Sequence, residues 1–261
     1  MKFYLINLDR STDRLSFMAE QFRNLGLEYV RVPAVDGRAL TTPEVEALTA
    51  VDDRWKAPLT RSEIGCFLSH RRCLQQIVQA PEPYAIVVED DIEFADDALN
   101  FFKEMSWIPD DTDLLKIETN GKKVLIDTPS SCGETRYAVA RLRSTHIMSA
   151  GYIISKDAAA FLLARMDKIW APIDQFIFSA EHGIFKELTI YQCTPAVCRQ
   201  FGLESTLDKD RRRTYQRPPL LRRLLREIKR AGRRSRTGLW GIWVNTRTRQ
   251  QWKRIPFYSS V

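Results

Sequence analysis

The sequence predicts an α/β sandwich with a mostly parallel central sheet, followed by a basic helical tail. Three observations predict it. Apolar runs of strand length alternate with segments of helical periodicity from the first residues onward. The connections between them are short, as in βαβ units. The charge is also split along the chain. Residues 209–261 carry seventeen Lys/Arg against two acids, Asp210 and Glu227, whereas residues 1–208 carry 23 against 31. The formal net charge of +7 therefore hides an acidic body and a strongly basic end. The expected division is a folded α/β domain over 1–207 and a basic tail over 208–261.

Lys2 to Ile6 reads as the first strand. Asn7 to Asp13 is a polar turn in which Ser11 or Thr12 caps a helix. Leu15, Met18, Phe22 and Leu25 give that helix its apolar face, and Gly26 stops it. Leu27 to Val32 is the second strand, with Val35-Asp36-Gly37 as the loop after it. Thr60 and Glu63 match a capping box, and Ile64, Phe67, Leu68, Leu74 and Val78 continue as a helical stripe that Pro81 and Pro83 end. Tyr84 to Val88 is apolar throughout, as a central strand is. Asp96 and Asp97 supply acids to the start of the next helix. Leu114 to Ile117 and Tyr152 to Ile154 read as strands, and Lys156 to Met166 as a helix capped by Ser155. Ile173 to Phe178 opens another helix after Pro172, and Leu188 to Cys193 is a late strand.

The 261 residues suffice for a large core without staples. Five cysteines, an odd number with no CxxC pair, read as reduced thiols. A zinc site is not expected, because the three histidines lack paired-ligand spacing. The start, MKFYLINLDRSTDR, does not read as a signal peptide, and no apolar run approaches a membrane span.

Two motifs carry chemistry. The first is INLDRSTDR, which leads from a strand end into a helix N-terminus. Asn7, Arg10, Asp13 and Arg14 lie there, and arginine grips phosphate bidentately at a place that favours anions. The alternative is a solvated turn with local ion pairs. Neither GxxxxGK[ST] nor GxGxxG is present, which disfavours a Walker-type ATPase and a dinucleotide-binding dehydrogenase.

The second is VEDDIEF. The period of a strand places Glu89 and Asp91 on one face and Asp90 on the other. Two carboxylates so spaced suit a hard divalent cation, Mg²⁺ or Mn²⁺, that keeps positions open for phosphate. The alternative is a helix start, and nucleases and phosphatases also place acids at strand ends.

Taken in order, INLDRSTDR, PAVDGR, LTRSEIGCFLSH, VVEDDIEF and APIDQFIF resemble glycosyltransferase family 25 over about residues 3–206. That family includes bacterial lipooligosaccharide galactosyltransferases and collagen galactosyltransferases. The resemblance implies a GT-A-like, Rossmann-like fold, a nucleotide-sugar donor (most commonly UDP-galactose), a divalent metal, and inversion at the anomeric carbon. It implies Asn7, Arg10, Arg14, Asp36, Gly37 and Asp90 at the donor, and Asp91 with Glu89 at the metal; the motif here is ExD rather than DxD. Asp174 of APIDQF is the expected base toward the acceptor hydroxyl, with a helix cap as its alternative. Glu63, His70, Lys116, His146 and Gln200 are further cleft residues, and three of them have a plain structural alternative: the capping box for Glu63, a hydrogen-bonded helix histidine for His70, and a strand end, rather than a phosphate contact, for Lys116. Ser205 lies near Gln200 in the same expectation, and Cys66 is expected to pack on its helix.

In the tail, Leu220, Leu221, Leu224, Leu225 and Ile228 form one helical stripe, arginines fill the other face, and Trp240, Trp243, Trp252 and Phe257 follow. A basic amphipathic helix with nearby tryptophans suits an anionic membrane surface. The expected setting is cytoplasmic and peripheral on the inner face of a bacterial inner membrane, with a lipid-linked oligosaccharide as acceptor. A nucleic-acid-binding protein or metal-dependent nuclease is the alternative; it is disfavoured because a leucine stripe does nothing for a phosphate backbone.

Overall fold

A computed structural model of the chain describes residues 1–201 and 240–259. It opens with the expected βαβ unit: β1 (Lys2–Asn7), α1 (Thr12–Leu25) and β2 (Tyr29–Pro33). Gly26 ends α1 in the left-handed conformation at φ 64°, which costs a glycine nothing. A single 3-10 turn, Gly37–Ala39, leads to α2 (Thr42–Leu48) and to the long α3 (Arg61–Gln79). The capping box forms as the sequence predicts: the Glu63 N–H donates to the Thr60 hydroxyl, and the Glu63 carboxylate accepts from the Thr60 N–H.

Next come β3 (Tyr84–Glu89), β4 (Ile92–Phe94), α4 (Ala98–Phe102), β5 (Leu114–Lys116), β6 (Glu118–Thr119), β7 (Lys123–Ile126), β8 (Ser130–Ser131) and β9 (Ala138–Arg141). They are followed by β10 (Gly151–Ser155), α5 (Lys156–Leu163), α6 (Ile173–Phe178), β11 (Ile190–Thr194) and β12 (Cys198–Gln200). Helix α7 spans 240–247, and β13 (Gln251–Arg254) closes the described chain. Ser155 caps α5 as expected, its hydroxyl accepting from the Ala158 N–H. Asp97 stands at the N-cap of α4, at the helix start as expected; its side chain makes no capping hydrogen bond and accepts from Arg136 and Tyr137.

The main sheet has eight strands in the order β2-β1-β3-β10-β5-β11-β9-β8. All of them except β9 and β10 run the same way, so the sheet is mixed but mostly parallel, as predicted. Alternate residues of each strand feed two cores. Tyr4, Ile6, Val87, Tyr152 and Ile154 face one core, which α3, α5 and α6 cover; Phe3, Leu5, Ile86, Val88 and Ile153 face the other, with Met18 and Phe22 of α1 and Phe101 of α4. Burial on both faces explains why β3 is apolar without alternation.

The end of the chain returns to this body. β13 pairs antiparallel with β7, Phe257 bridges Ala196, and Val244 and Ile255 are buried. Trp252 and Phe257, expected at a membrane, are therefore engaged with the protein itself; Trp240, Ile242 and Trp243 are exposed. The leucine stripe 220–228 and Ser205 lie outside the described residues. Among those described, no helix is long and apolar enough to cross a membrane.

Candidate functional site

Three neighbouring strands end together. β1 is parallel to both β2 and β3, and Ile6 lies opposite Glu89, so the residues following β1 and β3 meet at the carboxyl edge of the sheet. Ligands of open α/β sheets bind at that edge. An opening forms there, lined among others by Arg10, Arg14, Asp36, Gly37, Glu89, Asp90, Asp91 and Gln200. The structure thus gathers both sequence motifs and the PAVDGR loop around one space.

The acids are not arranged as strand periodicity predicts. β3 stops at Glu89, and Asp90 and Asp91 turn away from the strand. Asp90 therefore does not point to the opposite face; all three acids line the same opening. Arg14 of α1 stands 3.1 Å from Asp90 and 3.5 Å from Asp91. The Asn7 amide donates to Asp90 at 2.7 Å while its carbonyl accepts from Arg31 at 3.0 Å. Asn7 is buried and supports Asp90 from below, rather than lining the opening as the donor role expected.

Glu89 accepts from Ser149 at 3.0 Å and meets the His70 ring at 3.1 Å. His70 is itself fully buried against the Tyr152 hydroxyl at 2.9 Å, so it reaches the opening only through Glu89. Asp91 receives the Gln200 amide at 3.3 Å.

Burial sets the charges of this cluster. It pushes the Asp91 carboxyl up to about 7, reinforced by Glu89 and Asp90 and opposed by Arg14. It raises Asp90 too, with Asn7 and Arg14 pulling the other way. Burial also works against the Glu89 charge, but the His70 and Ser149 hydrogen bonds outweigh it and leave Glu89 below the ordinary glutamate range. Three desolvated carboxylates around a single guanidinium are a hard-oxygen donor set with negative charge to spare, which fits a divalent cation.

The loop after β2 is held tightly against α3. A Cβ on Gly37 would lie 1.7 Å from the Arg61 carbonyl oxygen, and one on Gly65 would lie 2.6 Å from both the Gly37 nitrogen and the Val35 oxygen. The Ser69 hydroxyl accepts from the Val35 N–H at 2.8 Å. This packing presents Asp36, which pairs with Arg10 and Arg38, at the rim of the opening.

Other expected residues sit elsewhere. Glu63 is buried in its capping box. Lys116 is turned inward: it is buried 2.9 Å from Glu118, donates to the Met148 carbonyl, and lies over the Phe178 ring. His146 is buried, with Nδ1 on Gln192 at 2.6 Å; burial and Lys116 push it down to about 3, so it stays neutral and away from the cleft.

Asp174 lies in the first turn of α6, where Pro172, not Asp174, holds the cap position. Its carboxylate accepts from the Gln175 N–H and, at 3.3 Å, from the N–H of Met148, a residue at φ 87°. Such a φ is strained for a methionine and stands where Ser149 and Asp174 are both positioned. Ser62 and Ser69, which also line the opening, went unassigned in the sequence, and Cys66, expected to pack on its helix, lines it too; their i, i+4, i+7 spacing on α3 is the signal that places them on one face.

The family model "Glycosyltransferase family 25 (LPS biosynthesis protein)" matches residues 1–177. The chain belongs to glycosyltransferase family 25. A "Glycosyltransferase 25 family member" of Aedes aegypti is 31% identical over 190 residues, covering 67% of this chain and 30% of the relative. The "Lacto-N-neotetraose biosynthesis glycosyltransferase LgtE" of Neisseria gonorrhoeae is 27% identical over 212 residues, covering 77% of this chain and 74% of the relative. Human "Procollagen galactosyltransferase 2" is 29% identical over 190 residues, 67% of this chain and 29% of the relative. The chain thus spans under a third of the mosquito and human proteins and about three quarters of LgtE. The family 25 match includes every segment that lines the opening except Gln200.

Proposed function

We propose that this family 25 chain is an inverting glycosyltransferase that moves galactose from UDP-galactose onto a lipooligosaccharide core glycan at the cytoplasmic face of the inner membrane. The observation that carries the reading is the meeting of Glu89, Asp90 and Asp91 with Arg10, Arg14 and the Asp36–Gly37 loop at one sheet edge. The family model's description as an LPS biosynthesis protein supports a lipid-anchored glycan as acceptor, and the similarity to procollagen galactosyltransferase 2 supports galactose.

Asp91 and Glu89 would hold Mn²⁺ or Mg²⁺, which when bound supplies charge neutralisation for the diphosphate leaving group. Arg10 and Arg14 bind diphosphate oxygens, Arg14 from directly beside Asp90 and Asp91. Asp36 and Gly37 contact the nucleoside. His70 and Ser149 fix the Glu89 carboxylate, so it is oriented before substrate arrives. Asp174 accepts the proton of the acceptor hydroxyl as that oxygen attacks the anomeric carbon, and the Met148 N–H holds the carboxylate in place.

Product formation from UDP-galactose and UDP-glucose, with lipooligosaccharide acceptors and the product anomer read by NMR, tests the reading. An inverted galactosyl product from wild type is expected, with kcat about 10²–10⁴-fold lower in Asp174→Asn and UDP affinity retained. Full activity in Asp174→Asn removes it as the base. Absence of transfer from either donor contradicts the reading.

A further inference from the structure

Beside the carboxylate cluster lies a second donor set of different chemistry. Cys66 and His70 are one turn apart on α3, and Glu89 ends β3 across from them. The Cys66 sulfur, a His70 ring nitrogen and a Glu89 carboxylate oxygen lie within 4.8 Å of one another. We propose that Cys66, His70 and Glu89 form a site for a thiophilic divalent cation of the Zn²⁺ class, distinct from the hard-cation site at Asp91, and that its occupation antagonises donor binding.

The chemistry of the donors selects the ion. Mg²⁺ and Mn²⁺ prefer oxygen, whereas thiolate with imidazole favours Zn²⁺. The His70 surroundings suit a metal-binding histidine: the Tyr152 hydroxyl stands 2.9 Å from Nδ1 and the Glu89 carboxylate 3.1 Å from Nε2, so with Nδ1–H donating to the phenol oxygen a bound cation takes the place of the Nε2 proton between His70 and Glu89. In a tetrahedral zinc site, sulfur and nitrogen ligands stand about 3.5 Å apart, so a shift on the order of 1 Å closes the set. The fourth position faces the opening, since Cys66 and Glu89 both line it. Cys66 is also the one cysteine of five that is not fully buried. Glu89, Asp174, Asp91 and Glu63 surround its thiol with negative charge, which a cation offsets. Binding replaces the thiol proton, which leaves to solvent, with a sulfur–metal bond.

Antagonism follows from sharing, and this part rests on the proposed donor site. Glu89 cannot serve both ions fully, and two divalent cations so close in a desolvated cleft repel.

Tag-free full-length protein is titrated with Co²⁺ as a spectroscopic substitute. A sulfur-to-cobalt charge-transfer band is expected, bleached by Zn²⁺, lost in Cys66→Ser and weakened in His70→Asn. No band in wild type, or an undiminished band in folded Cys66→Ser, overturns the site. UDP is then titrated in Mn²⁺ with and without Zn²⁺. A loss of UDP affinity of about tenfold or more in wild type, and much less in Cys66→Ser, is expected. An equal loss in both overturns the antagonism. UDP that fails to bind even without Zn²⁺ contradicts the donor reading instead, and leaves the cobalt result standing.

Discussion

Arg14 reaches Asp90 at 3.1 Å and Asp91 at 3.5 Å, so one guanidinium from the first turn of α1 binds two carboxylates from the end of β3. The two sequence motifs are joined by that contact. Arg14→Met keeps the aliphatic stem and removes the charge. Charge-assisted hydrogen bonds are worth about 1.5–3 kcal/mol, so UDP affinity is expected to fall about 10–100-fold. Calorimetry on the folded variant checks this; unchanged affinity would place the diphosphate elsewhere.

Asp91 gives the fold a pH signature. Its folded pKa, about 7, stands above the unfolded value, so the native state holds a proton that the unfolded chain releases. Stability from this group is fully present below about pH 4 and declines as pH rises toward 7. Asp91→Asn removes that decline and is expected to be more stable than wild type at pH 8 by up to about 4 kcal/mol, with little difference at pH 4. Excess Mn²⁺ is expected to narrow the gap at pH 8 by stabilising wild type alone. Urea unfolding at both pH values measures it; parallel pH dependence in the two proteins contradicts the assignment.

The contact between the Gly37 loop and α3 leaves no room for a methyl group, and the atoms in the way are backbone. Gly65→Ala is expected to cost about 1–3 kcal/mol and to displace Asp36 from the rim, weakening UDP binding along with stability. Thermal unfolding and UDP titration are the readouts. A variant with wild-type values for both would show that the loop moves freely.

Lys116 and Glu118 form a buried pair under the cleft. Lys116→Met strands the carboxylate and is expected to destabilise by about 3–5 kcal/mol; the double variant Lys116→Met/Glu118→Leu recovers most of this. A double variant no better than the single one would assign the cost to the Met148 carbonyl, which Lys116 also holds.

Glu63 separates a cap from a catalyst. Thr60→Ala is expected to cost about 1 kcal/mol, as loss of an N-cap does. Glu63→Gln, which retains a carbonyl acceptor for the Thr60 N–H, is expected to keep near-normal turnover, measured as kcat on folded protein. A large fall in kcat without unfolding would return Glu63 to the chemistry.

The parts legible in the sequence are those fixed by local physics. Thr60 and Glu63 declare the start of α3, Gly26 the end of α1, and the unbroken apolar run of β3 a strand covered on both sides. Residues whose surroundings come from distant segments were not legible. Lys116 and His146 look like cleft residues by position, yet their partners Glu118, Met148 and Gln192 turn them inward. Asp90 was assigned to the wrong face because strand periodicity was carried one residue past the point where β3 ends. The Cys66–His70 pair escaped notice because zinc spacing was sought among histidines alone, and its third donor, Glu89, comes from another element.

The central claim is that the carboxylates at the end of β3 and the arginines after β1 together hold a nucleoside diphosphate through a divalent ion. Calorimetric titration of UDP with and without Mn²⁺, on wild type and Asp91→Ala, tests it most directly. Binding that requires Mn²⁺ in wild type and disappears in the folded variant is the predicted result. Failure of wild type to bind UDP under either condition, or metal-dependent binding that survives in Asp91→Ala, would contradict it.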